Sequence, residues 1–422
     1  MKSFSEYVDD LAALLRSDAR GESVTAALDG AVSRELRARV TLQARRDQGA
    51  FFTGQALSTS VVQAALVQDR PIADPAVGAG DLLLAAANHL PLAESVAATL
   101  ERWGRRLHGA DLEEAYVRAT RIRLALLAVH RLGARTYLRE DRLAELLPNI
   151  VVGDGQSRAI PKRSLVLLNP PYGSTAAPNG LGWAAGRVSR AAVFTAAIIE
   201  QAPDGAALAA ILPDVLRSGT HYKRWRAHVE RRLRIQTVDA VGQFDTWADV
   251  DVFVLRGAVV KEGTFSADAA PWSFEKSDTT VADAFDVNVG AVVPHRDPEN
   301  GPVVRYLTVH DLPFGSRIEA DTLTKRRFAG RLFEPPFLAV RRTSRPGQQI
   351  HRAVGTIVAG DGPVAVENHV LVCTPKDGTI ASCKALQTVL HSDATDTWLD
   401  ERIRCRHLTV GAVRDVPWQG RA

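Results

Sequence analysis

The apolar run Leu165-Val166-Leu167-Leu168 is stopped by Asn169-Pro170-Pro171-Tyr172 and then Gly173. An apolar run of that length reads as a buried strand, and two successive prolines cannot continue its hydrogen-bond ladder. The tetrapeptide is therefore a rigid loop at the strand's carboxyl end. In open α/β sheets that end is where ligands bind. The loop presents a side-chain amide oxygen, a backbone carbonyl released from the ladder and an aromatic face. Together they can hold a planar amino group and stack its ring. Asn-Pro pairs also make ordinary turns, so the weight of the feature depends on what surrounds it.

Upstream lies Ile72-Ala73-Asp74-Pro75-Ala76-Val77-Gly78-Ala79-Gly80-Asp81-Leu82-Leu83, a short strand, an acid, a glycine turn and an apolar helix start. Glycines at such a turn let the backbone approach a ligand closely. A phosphate loop is disfavoured, because it needs Gly-Lys-Ser/Thr where Gly80 is followed by Asp81 and Leu82. Two further strands end in acids, 107–110 at Asp111 and 150–153 at Asp154. One such aspartate is ordinarily a loop or capping residue. Three in register after successive strands point to a ligand, and Asp111 has the position from which an acid accepts both ribose hydroxyls in dinucleotide folds.

In this order the segments resemble the S-adenosylmethionine-dependent DNA adenine-N6 methyltransferases, in the motif order of the TaqI-like gamma group. Gln48-Gly49-Ala50-Phe51-Phe52-Thr53-Gly54 looks like that group's extra methionine-side motif, which usually ends in Thr-Pro; here Gly54 replaces the proline. The resemblance runs through Arg256. It implies a cofactor site for S-adenosylmethionine built from Phe52, Thr53, Asp74, Pro75, Gly78, Gly80, Asp111, Leu112, Asp154 and Asn169, with Asp74 toward the ammonium end and Asp154 toward the adenine amino group. It also implies that Asn169 Oδ1 and the Pro170 carbonyl accept the N6 hydrogens of a flipped-out adenine. Tyr172 would stack on that base, Phe244 would supply a second aromatic, and the stretch from Gly173 to Arg190, with Trp183, would form a mobile lid. No metal is called for.

Around these motifs, strands and helices alternate from residue 47 to about 260, which predicts a mostly parallel sheet with helices on both faces. Expected strands are 71–74, 107–111, 149–153, 164–168, 206–212, 235–241 and 251–256, the last two close enough for a hairpin. The fold class expected is α/β: a seven-stranded Rossmann-like class I methyltransferase domain with N-terminal helices and a C-terminal mixed α+β DNA-recognition domain. Phe4, Val8, Leu11, Leu14 and Leu15 at helical spacing mark residues 1–46 as a helical lead-in. The catalytic domain spans 47–262, a linker with early strands 263–290, and the target-recognition domain 291–422.

The net charge is +4, mildly basic. Residues 321–360 carry Lys325, Arg326, Arg327, Arg331, Arg341, Arg342, Arg345 and Arg352 against only Asp321 and Glu334. A charge run is usually a solvated face, but in a loop with Gln348 it has the groups that contact phosphates and read base edges. Arg341, Arg342, Arg345 and Gln348 are therefore the candidate contacts to double-stranded DNA. Cys373, Cys383 and Cys405 are too scattered for a disulfide framework or a zinc site. With acids in the first ten residues and no long apolar run, the expectation is a cytoplasmic protein that does not enter a membrane.

A cognate restriction endonuclease or defence-system subunits would be natural partners. Three alternatives stay open on sequence alone. Protein glutamine-N5 methyltransferases also use an Asn-Pro-Pro-Tyr loop, a modification subunit can depend on partners, and cytosine-N4 enzymes usually carry Ser where Asn169 stands.

Overall fold

The computed structural model describes residues 4–17, 22–41, 53–63, 65, 69–245, 248–263, 272, 277–344, 350–404 and 407–419. The chain divides into two compact units, one of residues 1–217 and 222–271, the other of 218–221 and 272–422.

The first unit is built on a seven-stranded sheet with strands β1 (Ile72–Asp74), β2 (Leu107–Asp111), β3 (Ile150–Val152), β4 (Leu165–Leu168), β7 (Ala207–Pro213), β8 (Leu233–Asp245) and β9 (Ala248–Val259). Between β4 and β7, β5 (Ser174–Ala176) and β6 (Arg187–Ser189) form a separate two-stranded sheet. The order across the large sheet is β3-β2-β1-β4-β7-β9-β8. β1 to β4 and β7 run parallel, and β9 is antiparallel to both β7 and β8. This is the seven-stranded arrangement that the resemblance implied, with the hairpin at one edge.

Local sequence explains the layers. β4 is buried along its whole length, and β7 (Ala-Leu-Ala-Ala-Ile-Leu-Pro) nearly so, as strands covered by helices on both faces must be. The helix Glu114–Leu132 buries Tyr116, Val117, Ile122, Leu124 and Leu126 and ends at Gly133, whose φ of 62° suits the left-handed cap. The N-terminal helix Phe4–Arg16 buries Phe4, Tyr7, Val8, Leu11 and Leu15. It packs on Glu114–Leu132, where Phe4 meets Tyr116 edge-on at 5.3 Å and Asp9 accepts from Arg118 at 2.8 Å.

The stretch expected as a lid folds as the β5–β6 hairpin, with Ser174 paired to Ser189 and Ala176 to Arg187. Trp183, on the connection between the strands, is buried with its ring 6.1 Å from His228. β8 and β9 are each longer than the sequence suggests. Register shifts between Ile235 and Thr237 and between Ala240 and Gly242 let the polar outer strand follow β9 past the ends of an ideal ladder.

The second unit is mixed α+β. A five-stranded sheet has the order β10 (Phe285–Val289), β17 (Val370–Pro375), β14 (Phe337–Arg341), β15 (Gly355–Ala359), β12 (Arg317–Glu319). A three-stranded sheet joins β13 (Lys325–Arg327), β11 (Val303–Leu307) and β16 (Val364–Val366). The helices Ile380–Leu390, Asp393–Arg402 and Val410–Arg414 close one core, in which Leu338, Val340, Leu371, Leu386, Leu399 and Trp418 pack together. No helix among the described residues is long and apolar enough to cross a membrane.

Candidate active site

β1 and β4 are neighbours, yet β1 continues outward to β2 and β3 while β4 continues the other way to β7. This reversal of strand order is the topological switch point, where the loops leaving the carboxyl ends part and leave a crevice. The loops after β1 and β4 open there on one cavity of about 530 Å3. That volume lies within the range of roughly 300–1,000 Å3 usual for small-molecule sites.

The glycine turn forms one wall. Val77 N–H donates to the Ala110 carbonyl at 2.9 Å, and Thr120 Oγ1 donates to the Gly78 carbonyl at 2.9 Å. Gly80 has φ of 90°, and a Cβ there would sit 2.8 Å from the Thr120 methyl, so only glycine lets the turn lie this close to the helix behind it. Gly155 is tighter still. A Cβ would come within 1.9 Å of the Pro75 carbonyl oxygen, and this close seat brings the loop after β3 against the loop after β1.

The three acids lie on the cavity together. Asp74, 2% exposed, accepts from Ala76 N–H at 3.1 Å. Burial pushes its carboxyl up to about 8, with the Asp111 and Asp81 charges adding to the rise against the pull of the Ala76 hydrogen bond. Asp111 accepts from Gly78 N–H and from Glu113 N–H, each at 3.0 Å, and burial raises its carboxyl as well. A carboxylate has about four lone-pair sites, so these bonds leave it further acceptor capacity. Asp154 is exposed and accepts from Gln156 N–H at 2.9 Å and from Ser157 Oγ at 3.1 Å. Leu112, 72% exposed, holds an apolar side chain at the same cavity, a suitable partner for a flat ring.

At the end of β4, Asn169 lines the cavity and its Nδ2 donates to Thr53 Oγ1 at 3.0 Å. Thr53, Asp74, Pro75, Gly78, Asp111, Leu112, Asp154 and Asn169 thus converge on one space. Gly80 stands just behind the wall as the N-cap of the helix Asp81–Ala87. Pro170 and Tyr172 are buried beside the cavity and are not part of its lining. The Tyr172 ring meets Phe244 edge-on, with centroids 5.7 Å apart and planes at 66°, and burial pushes its phenol well above the ordinary range. Phe52 lies outside the described residues.

Sequence reasoning missed part of the wall. Thr175 and Pro178 on the β5–β6 hairpin, and Arg190, Val193 and Phe194 on the following helix, line it too, as do Asp81, Glu113 and Gln156. Arg190 could have been suspected from its place at a helix start after a small-residue stretch. Thr175 and Pro178 fall within the stretch expected as a lid, Asp81, Glu113 and Gln156 adjoin motifs already singled out, and Val193 and Phe194 carry no local signal.

In the second unit the basic run is dispersed. Arg352 is 2% exposed and is held by Asp400 at 2.7 Å, Ser344 Oγ at 2.7 Å and the Ile403 carbonyl at 2.7 Å. Arg326 is buried over the Tyr306 ring at 5.1 Å. Arg341 and Arg342 are half-buried and donate to the carbonyls of Leu312 and Asn368. Lys325, Arg327 and Arg331 are exposed. Arg345 and Gln348 lie outside the described residues.

Residues 36–238 match the family model described as N-6 DNA Methylase. No curated protein sequence matches the chain. Among solved structures, the type IIL restriction-modification enzyme MmeI in complex with DNA is similar over 92% of this chain and 70% of its own, with TM-score 0.56 and 11% identity. The type IIG restriction endonuclease BpuSI matches over 94% of this chain and 60% of its own, with TM-score 0.44 and 13% identity. A putative class I S-adenosylmethionine-dependent methyltransferase from Listeria monocytogenes matches over 64% of this chain and 88% of its own, with TM-score 0.36 and 13% identity. At such identities the likeness to MmeI is one of fold. The matched stretch, residues 36–238, is just under half of the chain and is similar to the N-6 DNA methylases.

Proposed function

We propose that this chain is an S-adenosylmethionine-dependent, site-specific DNA methyltransferase acting on N6 of a flipped-out adenine, within a restriction-modification or phage-defence system. One observation carries the reading: Asn169, at the end of β4, opens on the same cavity as Asp74, Gly78 and Asp111 at the sheet's switch point.

The cavity suits the cofactor chemically. Carboxylates of Asp74, Asp111 and Asp154 match an ammonium group, a ribose diol and an adenine amino group, and the Leu112 side chain matches the base's flat face. Thr53, Pro75, Gly78 and Gly80 complete the holding set, with Phe52 expected beside them. When bound, S-adenosylmethionine supplies a methyl group activated by its positive sulfur.

The chain's own task is to make the amino nitrogen a nucleophile. The N6 lone pair of adenine is delocalised into the ring. If Asn169 Oδ1 and the Pro170 carbonyl each accept one N6 hydrogen, the nitrogen is drawn toward tetrahedral geometry and its lone pair is freed. Positioning and preorganised dipoles then carry the reaction without a strong base. Flipping the base out of the duplex costs about a few kcal/mol. Stacking on the Tyr172 and Phe244 aromatics returns about 1–3 kcal/mol per base.

Residues 291–422 are proposed to read duplex DNA, with Arg341, Arg342, Arg345 and Gln348 among the contacts. The likeness to MmeI, solved in complex with DNA, covers 92% of this chain and so includes part of this region. A paired nuclease or defence subunit fits the same context. Incubating the purified protein with tritiated cofactor and genomic DNA, followed by sequencing for modified bases, tests the reading. N6-methyladenine at a recurrent sequence is expected. Methylation of protein glutamine, or of cytosine alone, sinks it.

A further inference from the structure

Arg123 carries a charge yet is only 1% exposed, inside the helix Glu114–Leu132. Its guanidinium reaches two separate pieces of chain. Nε donates to the Ala27 carbonyl at 2.9 Å and Nη2 to Leu28 at 3.2 Å, while Nη1 donates to the Ala79 carbonyl of the glycine turn and to Asp81 Oδ1 at 2.8 Å. Desolvating two charges largely cancels their attraction, so a buried pair of this kind is better explained by the geometry it fixes than by stability.

What it fixes is the segment beside the cavity. Asp81 spends its other oxygen, Oδ2, on the Gly54 N–H at 3.0 Å. Next to Gly54, the hydroxyl of Thr53, a residue only 8% exposed, accepts from Asn169 Nδ2 at 3.0 Å. A continuous path therefore runs from Arg123 through Asp81, Gly54 and Thr53 to the amide of Asn169. Gly54 is also where the chain departs from the Thr-Pro pattern of the enzymes it resembles. Its φ of +71° is closed to proline, and proline has no N–H to give Asp81. The ion pair and its hydrogen bond supply the rigidity that a proline ring would otherwise provide.

Orientation of the Asn169 amide matters because its two ends are nearly the same size and opposite in hydrogen-bonding sense. Turned by half a rotation, it would aim N–H donors at an amino group that also donates. We propose that Arg123 and Asp81 are positioning residues. They clamp Thr53-Gly54 so that the Thr53 hydroxyl holds Asn169 Nδ2 and leaves Oδ1 for the amino group of the reacting base. The inference rests on the reading of Asn169 given under the proposed function.

The test compares Thr53→Val, which keeps the shape and loses the hydroxyl, with Thr53→Ser, which keeps the hydroxyl, and adds Asp81→Asn. Single-turnover methyl transfer to DNA, affinity for S-adenosylhomocysteine and amide hydrogen exchange of the peptide containing Gly54 are measured on the full chain. Thr53→Val is expected to slow transfer at saturating cofactor by about ten- to a hundred-fold, as misplacement of a reacting group does, beyond any loss of cofactor affinity that follows from its place in the proposed holding set. Thr53→Ser is expected to restore most of the rate. Asp81→Asn is expected to speed exchange at Gly54 and slow transfer together. A Thr53→Val protein as fast as the unchanged one, or Asp81→Asn with unaltered exchange, overturns the clamp. If the unchanged protein methylates no DNA, the functional reading fails instead, and the exchange measurement still decides the clamp.

Discussion

The two units use charged side chains in opposite ways. Around the β1–β4 switch point, Asp74, Asp111 and Asp154 reach one cavity from three successive strand ends, and their acceptor capacity is directed into it. In the second unit, a run with eight basic residues over 321–360 places Arg326 and Arg352 in buried positions and ties Arg341 and Arg342 to main-chain carbonyls. In a parallel sheet, position along the chain fixes position in space, because every strand end faces the same edge. A basic run in a mixed, mostly antiparallel fold has no such rule. Alternate residues point to opposite faces, so β13 exposes Lys325 and Arg327 and buries Arg326 between them.

The sharpest way to break this contrast is at Asn169. Asn169→Ala is expected to lower single-turnover methyl transfer by about a hundred- to a thousand-fold, the range seen when a preorganised polar group at the reacting centre is removed. Any loss of cofactor affinity should be much smaller, since the residue borders the cofactor site but its main assigned contact is with the base. A variant that keeps its rate would mean that the strand-end loop shapes the cavity without taking part in the chemistry.

Asp111→Ala should act on the other half of the same cavity. Loss of a charge-assisted hydrogen bond to the ribose is expected to weaken cofactor binding by about 1.5–3 kcal/mol, read by calorimetry. Asp111 also receives the Gly78 and Glu113 N–H groups, so Asp111→Asn, which keeps acceptor oxygen, should lose less. Equal affinity in both variants and the unchanged protein would reduce Asp111 to a loop tie.

Asp74 gives a smaller, pH-dependent effect. Its folded carboxyl stands at about 8, above the usual 3.8, so the proton it keeps stabilises the ligand-free fold fully at low pH. That contribution is lost as pH rises toward and through 8. The charged form is the one that pairs with an ammonium group. Cofactor affinity is therefore expected to rise as pH climbs from 6 to 8, by at most about ten-fold per unit, as expected for one proton released. In Asp74→Asn this dependence should flatten, while thermal stability of the ligand-free protein at pH 8 increases. A pH profile shared by both proteins would assign the dependence to another group.

These contrasts also mark how far the sequence could be read. The strands 107–111 and 165–168 were legible to within a residue, because an apolar run stopped by Asp or by Asn-Pro-Pro suits the end of a buried strand and little else. The outer strand β8 was underestimated, since Arg-Ile-Gln-Thr-Val-Asp alternates like many surface segments and its length is set by its partner β9. Most residues of the motifs themselves were found, and Thr175 lies in the stretch expected as a lid, whereas Val193 and Phe194 reach the cavity from the helix after the hairpin, which no local pattern announces. Arg123 was hidden for the opposite reason. Among Arg118, Arg121 and Arg131 on one long helix it reads as solvated, and only the tertiary structure shows its carbonyl and carboxylate partners.

The smallest effect expected is the one that bears most directly on the second unit. Replacing Arg341, Arg342 and Arg345 by Ala should flatten the dependence of duplex binding on salt, because the slope falls by about 0.9 for every phosphate no longer neutralised. Arg341 and Arg342 already donate to the carbonyls of Leu312 and Asn368, so they have fewer donors left than freely exposed arginines would have. A change equivalent to about one phosphate is therefore expected, with cofactor affinity unaltered. Lys325→Ala with Arg327→Ala, on the exposed face of β13, serves as the comparison. If the β13 pair changes the slope more than the triple variant, the DNA-facing surface lies on the three-stranded sheet, and Arg341 and Arg342 serve the fold. If neither set changes it, residues 321–360 do not meet phosphate, and the weight of the proposal moves to recognition through a partner subunit.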